Sequence, residues 1–442
     1  MKKLLCLILL FNSVCYAQFF ETVVGGSYNE YGRSVQQTND GGYIICGGAQ
    51  EEFAGPLYVY VVKFDENGNE QWTETYGFAY EAGDVGQSIE KTSDGGYIIA
   101  GYKQMFNNSA SQFNVIKIDQ NGGQMWSQSP VCAGQYCSGL SIDVLEEGGY
   151  ILAGICNYNG PGLSGPSSEL QLYKLSEQGS PIWFETYSTT NYGTHYGNSV
   201  KQTTDGGFII TGRTTNNSSN SSRMWLLKVN SDGGVEWSKI LDGKEGFEVI
   251  ETSDGGYIVI GDIFTSGDLA SDIYLVKTNQ NGDEEWNKTF YQIGLDCGNS
   301  VKQTNDGGYV ITGYTGQNGN QDLIIIKTDV DGNMQWEQVY GGNSSDTGYS
   351  IQQTNDGGYV VTGDTYTVGN FLGNLDYRNV WLIKTTNWGN ITSVIEMPVS
   401  SKKKIKNTTN LLGQKLQNDK KYNQLLIQRY NDGSVEKKYL IK

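Results

Sequence analysis

The chain has 442 residues and a formal net charge of −17, with 59 Gly, 6 Pro, one His, 12% aromatic and 18% charged residues. Abundant Gly excludes a helical bundle, because Gly weakens helix interiors, and abundant aromatics with few charges exclude a disordered chain. A single His leaves no basis for a multi-His metal site and little for His-based acid–base chemistry.

The first 17 residues read as a signal peptide. Lys2 and Lys3 precede the apolar run Leu4 to Phe11, and Cys15-Tyr16-Ala17 supplies a cleavage site before Gln18. Asn12 stands where a lipoprotein signal needs Leu, so acylation at Cys15 is disfavoured. The run is too short to cross a bilayer, and no later stretch approaches transmembrane length. Five cysteines follow: Cys46, Cys132, Cys137, Cys156 and Cys297. The odd count leaves one unpaired within a monomer; Cys132 with Cys137 closes a small loop, and Cys156 is a competing partner.

From residue 34 onward one phrase recurs, Ser-Val-x-x-Thr-x-Asp-Gly-Gly-Tyr-Ile-Ile-x-Gly. Its acid–Gly–Gly falls at Asp40, Asp94, Glu147, Asp205, Asp254, Asp306 and Asp356, in steps of 54, 53, 58, 49, 52 and 50 residues. Each copy predicts four strands. Strand a is GxSVQQT, as in Gly298 to Thr304. Asp-Gly-Gly then makes a tight turn, and strand b is YIIxG, as in Tyr257 to Gly261. Strand c is an apolar run ending at Lys63, Lys117, Lys174, Lys228, Lys277, Lys327 or Lys384. Strand d begins near Trp72, Trp126, Trp183, Trp237, Trp286 or Trp336, each preceded by a Gly four residues earlier, such as Gly332 before Trp336.

Four antiparallel strands per period of about 50 residues, in tandem, are the pattern of a β-propeller blade. Seven copies of a, b and c but six Trp-type d strands leave one strand to find. Phe20 to Gly25 aligns with Trp72 to Gly77, so the mature N-terminus is expected to pair with Val380–Thr385 and complete the last blade. The expectation is an all-β, seven-bladed propeller over 18–394, followed by a small β-type domain at 395–442.

Charge separates these two parts. Segment 402–442 carries ten Lys and one Arg against Asp419, Asp432 and Glu436, whereas 18–401 carries 18 basic against 45 acidic residues. A body of net −27 is repelled by phosphate backbones, which argues against nucleic-acid binding.

The repeat resembles the Gly-rich tandem propeller repeats of exported Bacteroidetes proteins, over residues 18–391. The Asp329, Gly332, Trp336 turn is similar to the tryptophan-docking repeat of quinoprotein-type propellers, although no vicinal cysteine pair accompanies it. The tail resembles the C-terminal sorting domain of the type IX secretion system, in the subset ending YDDGTVEKK. Here that ending reads Tyr430-Asn431-Asp432-Gly433-Ser434-Val435-Glu436-Lys437-Lys438, so Asp432, Gly433, Val435, Glu436, Lys437 and Lys438 form the sorting signal the resemblance implies. It further implies engagement of the type IX machinery, passage through the periplasm, and release or attachment at the outer-membrane surface.

Residues common to all copies read as scaffolding, so function is sought where copies differ. The turn acids and the strand-c lysines fall in the first group, and Asp329-Val330-Asp331-Gly332 reads as a hairpin rather than a calcium loop. The b–c and d–a loops vary, and the long b–c loops are 157–169, 214–222 and 365–379. Two residues before the Gly that opens strand a lie Glu30, Asp84, Cys137, His195, Lys244, Asp296 and Asp346. Placed at a channel mouth, Glu30, Asp84, His195, Asp296 and Asp346 would suit calcium or a carbohydrate-like ligand; the competing role is capping of the d–a turn. No nucleophile or orienting partner for His195 is identifiable, so no catalytic residue is assigned and no obligatory cofactor is expected. The leading expectation is an exported, non-enzymatic propeller binding a glycan or protein. A secreted hydrolase or lyase and a structural adhesin are the alternatives.

Overall fold

The computed structural model describes residues 19–389, less the segments 26–27, 51–54, 78–82, 106–109, 132–135, 159–166, 190–191, 217–220, 265–270, 291–293, 318–319, 343 and 369–375, together with 405–410, 424–430 and 435–440. The leader and Asp432 and Gly433 lie outside the described residues, as does Cys132. Two compact units divide at Ile391 and Thr392. The second holds one antiparallel sheet of Ile405–Asn410, Gln424–Tyr430 and Val435–Leu440; Val435, Glu436, Lys437 and Lys438 lie on its last strand. No described residue is helical.

In the first unit, each repeat folds into one module of antiparallel strands paired in chain order, a to d. Module 1 comprises Glu30–Gln37, Tyr43–Gln50, Leu57–Phe64 and Glu70–Tyr76. Modules 2 to 6 span 83–128, 136–187, 192–240, 245–290 and 297–340, and module 7 contributes Thr347–Gln353, Tyr359–Val368 and Asp376–Thr385. The fourth strand of module 7 is Phe20–Val24, antiparallel to its strand c. Modules 2, 3 and 4 are also joined through single parallel bridges, Ser111–Tyr136 and Ser168–Thr194.

The a–b turn explains why the repeat needs two glycines. Gly255 adopts a φ of +80°, which side chains rarely tolerate. Asp254 accepts the Thr252 hydroxyl at 2.5 Å and the Gly256 N–H at 3.1 Å. A Cβ on Gly256 would sit 2.5 Å from Lys277 Nζ, so the second glycine makes room for the lysine ending strand c. That lysine pairs with the turn acid in every module, at 2.8 to 3.0 Å, from Lys63–Asp40 through Lys384–Asp356. Partial burial pushes the Asp40, Asp94, Asp205 and Asp254 carboxyls up, but hydrogen bonds from the lysine, the threonine and the turn N–H outweigh it and hold them at about 2.

The core lies between modules. The strand-d aromatic of one packs against the first aromatic of strand b in the next: Trp126 on Tyr150, Trp183 on Phe208, Trp237 on Tyr257, Trp286 on Tyr309 and Trp336 on Tyr359, at 5.8 to 6.2 Å. Trp72 joins the cluster containing Tyr97. The same relation links Phe20 to Tyr43 at 5.8 Å, and Phe20 lies opposite Lys384 as Trp336 lies opposite Lys327. Each c–d turn lies beneath the preceding module's aromatic; at Gly332, with φ +74°, a Cβ would come within 2.5 Å of the Trp286 ring.

First strands of successive modules also pack together through a chain of hydrogen bonds. Ile89 N–H donates to Ser34 Oγ, Ile142 to Ser88, Val200 to Ser141, Val249 to Ser199 and Ile351 to Ser300, at 3.2 to 3.4 Å. Glu248 replaces the serine once, accepting from Val301 at 2.8 Å with Lys302 beside its carboxylate. Val35 N–H donates to Ser350 Oγ at 3.3 Å, joining module 1 to module 7.

Cys137 and Cys156 form a disulfide. They are directly opposed on strands a and b of module 3, a cross-strand neighbourhood that sequence spacing left open. Cys46 and Cys297 are free thiols and buried.

Candidate functional site

All five residues of the acid-and-histidine register are buried: Glu30, Asp84, His195, Asp296 and Asp346 are 8, 2, 2, 0 and 3% exposed. The cause is strand alternation. A Cβ on Gly32 would meet Thr362 and Val380 of module 7, and Glu30, two residues earlier, shares that face and points between modules. Asp296 accepts from Gly316 N–H at 3.2 Å, and Asp346 from Gly342 N–H at 3.1 Å. His195 Nε2 accepts from Thr189 N–H at 2.9 Å, and its ring lies edge-on to Trp225. Burial pulls the His195 pKa down to about 4, so it is neutral at pH 7. Burial raises Asp346, and the nearby Asp322 carboxylate raises it further.

Another position faces a cavity. In every strand a the register shifts by one residue after the opening Gly, a β-bulge that turns the following residue out of the ladder. The bulged residues are Arg33, Gln87, Leu140, Asn198, Phe247, Asn299 and Tyr349. Sequence reasoning missed them, although the signal was present: this is the x of GxSV, the variable letter inside an otherwise constant phrase.

Three bulged residues, Phe247, Asn299 and Tyr349, line a cavity of about 420 Å³ with Tyr314, Gln321, Asp364, Tyr366 and Arg378. Arg33, the bulged residue of module 1, stacks on the Tyr349 ring at 4.0 Å and lies 4.9 Å from the Tyr31 ring centre. Arg378 lies 5.2 Å from the Tyr366 ring centre, and its Nη1 is 3.7 Å from Asp364 Oδ2. Asp364 is 2% exposed, and its Oδ1 has no donor; the buried Arg33 Nε has no acceptor. Burial pushes the Asp364 carboxyl up to about 6 against the opposing pull of Arg33 and Arg378. In modules 4 and 5, Arg213 pairs with Glu245 at 3.2 Å and stacks on Tyr196, and Lys244 pairs with Asp262 at 2.7 Å. Arg33 stacks on the Tyr349 ring, whereas Arg378 Nε donates to the Tyr366 hydroxyl, and the lining presents hydrogen-bonding groups of both kinds.

No protein-family model matches the sequence, and no curated protein matches it. Similar solved structures include a puromycin hydrolase mutant complexed with PGG, at 13% identity and a TM-score of 0.50, covering 91% of this chain and 58% of that one. The WD40 β-propeller domain of Doa1 is 11% identical, with a TM-score of 0.49 and coverage of 83% and 96%. A protein of unknown function from Dyadobacter fermentans is 11% identical, with a TM-score of 0.48 and coverage of 67% and 93%. Identities this low speak to fold alone. Antiparallel modules stacked face to face, with first strands packed on one another, define an all-β protein of the β-propeller type.

Proposed function

We propose that the chain is an exported, non-enzymatic, seven-bladed β-propeller, closed by its N-terminal strand, that binds an extracellular or surface partner where strands a begin. The observation that carries the binding reading is that three bulged side chains, Phe247, Asn299 and Tyr349, line one aromatic and charged cavity. Varied residues on a repeated scaffold are the usual form of a recognition surface. Closure is supported by the Val35–Ser350 hydrogen bond and the Phe20–Tyr43 contact, which repeat between the last and first modules what joins the others. Export rests on the leader and the sorting-like tail. Removing 402–442 should leave the propeller folded but held in the periplasm, and normal surface delivery of that truncation would refute the tail's role.

The hydrolase reading stays as the alternative, because one structural neighbour bears a hydrolase name. The mature chain is to be tested on a glycan array, in a surface-protein capture assay and against a hydrolase substrate panel. Saturable binding without turnover is expected. Turnover that disappears when Glu30, Asp84, Asp296 and Asp346 are changed would replace the binding reading with the enzymatic one.

A further inference from the structure

Successive modules share one hydrogen bond on the side of the a–b turns. The residue before the turn acid donates its backbone N–H to the last side chain of strand a in the next module. Glu146 donates to Gln202, Thr204 to Glu251, Ser253 to Gln303, Asn305 to Gln353 and Asn355 to Gln37, at 2.8 to 3.0 Å. Glu251 also accepts the Thr204 hydroxyl at 2.8 Å, so a carboxylate fits this place with both oxygens.

The pattern breaks where Val144 and Lys91 stand in the acceptor's position. An ammonium only donates, so Lys91 cannot serve the Asn39 N–H across the junction of modules 1 and 2. That junction holds a cavity of about 460 Å³, lined by Asn39, Gln71 and Trp72 of module 1 and Lys91, Gln120 and Asn121 of module 2. Lys63 in the same wall is already paired with Asp40 at 2.8 Å, which leaves Lys91 as the cation unpaired among the described residues. Gln71 Oε1 accepts from Lys63 at 3.0 Å, so the rest of that amide is left to donate.

A carboxylate brought by a ligand would supply here the oxygens that Glu251 supplies between modules 4 and 5. The charge of Lys91 makes such a bond stronger than its neutral counterparts. The remaining lining narrows the class, because side-chain amides exchange hydrogen bonds with hydroxyls and the Trp72 indole packs on a C–H face. A hexuronic acid carries a carboxylate, hydroxyls and a C–H face on one ring, and the volume is that of a small-ligand site.

We propose that the cavity between modules 1 and 2 binds a hexuronate residue, its carboxylate on Lys91 and the Asn39 N–H and its C–H face against Trp72. Lys91 is the last residue of Gly83–Lys91, whereas the bulge follows Gly86 near the start of that strand. The site therefore lies at the other end of strand a and stands apart from the binding reading above.

The test is titration calorimetry of the mature chain with methyl glycosides of glucuronic and galacturonic acid, beside methyl glucoside and a glutamate-rich peptide. At least one uronide should bind, tenfold or more tighter than the neutral glucoside. Lys91→Gln installs the acceptor that four other junctions carry. It should weaken uronide binding tenfold or more without lowering the melting temperature. Lys91→Met removes the charge and supplies no acceptor, and binding should fall there too. Binding indifferent to both variants, or no binding of any carboxylate probe, would overturn the site. Glucoside binding as tight as uronide binding would overturn the role of the carboxylate. Peptide binding that both variants weaken, without uronide binding, would overturn the sugar assignment.

Discussion

Deleting either half of one ion pair should have unequal consequences. In module 7, Lys384 is 1% exposed and Asp356 28%. Both Asp356 oxygens and the Thr385 carbonyl accept from the Lys384 ammonium. Asp356→Ala leaves that ammonium buried beside one carbonyl, and stranding a buried charge costs roughly 3–5 kcal/mol. Lys384→Met keeps the buried stem and leaves a carboxylate still bonded to Thr354 and Gly358 and open to water, at a cost of about 1 kcal/mol. With an unfolding entropy of about 2.1 cal/mol/K per residue over about 370 residues, those losses correspond to about 4–6 °C and about 1 °C in melting temperature. Asp254→Ala should fall between them, because Lys277 keeps Glu285 at 3.0 Å. Burial already lowers the Lys384 pKa, and without Asp356 it falls further. The unfolded variant then binds more protons than the native one, so the Asp356→Ala deficit should shrink as pH rises towards about 10. Calorimetry of parent and variants at pH 7 and near pH 10 tests this. Equal losses for Asp356→Ala and Lys384→Met, or a deficit unchanged at high pH, would refute the reasoning.

Deleting Gln18–Val24 removes the strand on Asp376–Thr385 and the Phe20–Tyr43 contact, so lower melting and aggregation are expected; unchanged melting and solubility would sink the closure model. His195 carries a pKa of about 4 against an ordinary 6.5, so its stability contribution is complete above pH 6.5 and lost as pH falls towards 4. The loss is roughly 3 kcal/mol, and His195→Gln should flatten that part of the stability–pH curve. Asp364 is shifted the other way, to about 6: its contribution is present below about pH 4 and lost as pH rises through 6. Asp364→Asn should therefore raise the melting temperature at pH 7 but not at pH 3.5, and a variant less stable at pH 7 would contradict this. Calcium should raise the melting temperature if Asp346 and its neighbours take a cation, with the rise lost in an Asp296→Asn, Asp346→Asn variant; no rise in the parent would leave backbone capping as their role.

The scaffold was legible because its physics repeats. The turn glycines, the strand-c lysines and the strand-d aromatics each recur at constant spacing, and Phe20 could be placed by alignment with Trp72 before any contact was known. The cavity was harder to see. A reading by strand alternation carries each residue to one of two faces, whereas a bulge inserts an extra residue that belongs to neither. That insertion moved attention to Glu30 and its counterparts and away from Arg33 and Tyr349. The grouping of Arg33, Asp364 and Arg378 depends on packing between module 7 and module 1, residues more than 300 positions apart in the chain.

The closing strand also sets the order in which the molecule can be completed. Glu21 accepts from the Trp381 indole at a separation of 360 residues, whereas ladder contacts within modules 1 to 6 join residues at most a few tens of positions apart. Modules 1 to 6 can therefore assemble as their sequence becomes available, but module 7 must wait for both ends of the propeller sequence. During that interval Phe20–Val24 is an unpaired strand, and its alternation of half-buried with exposed positions gives it one sticky face instead of two. Chain ends must meet late, so the slow step of folding should be the capture of this strand, a search whose entropy cost grows only logarithmically with the length of chain between.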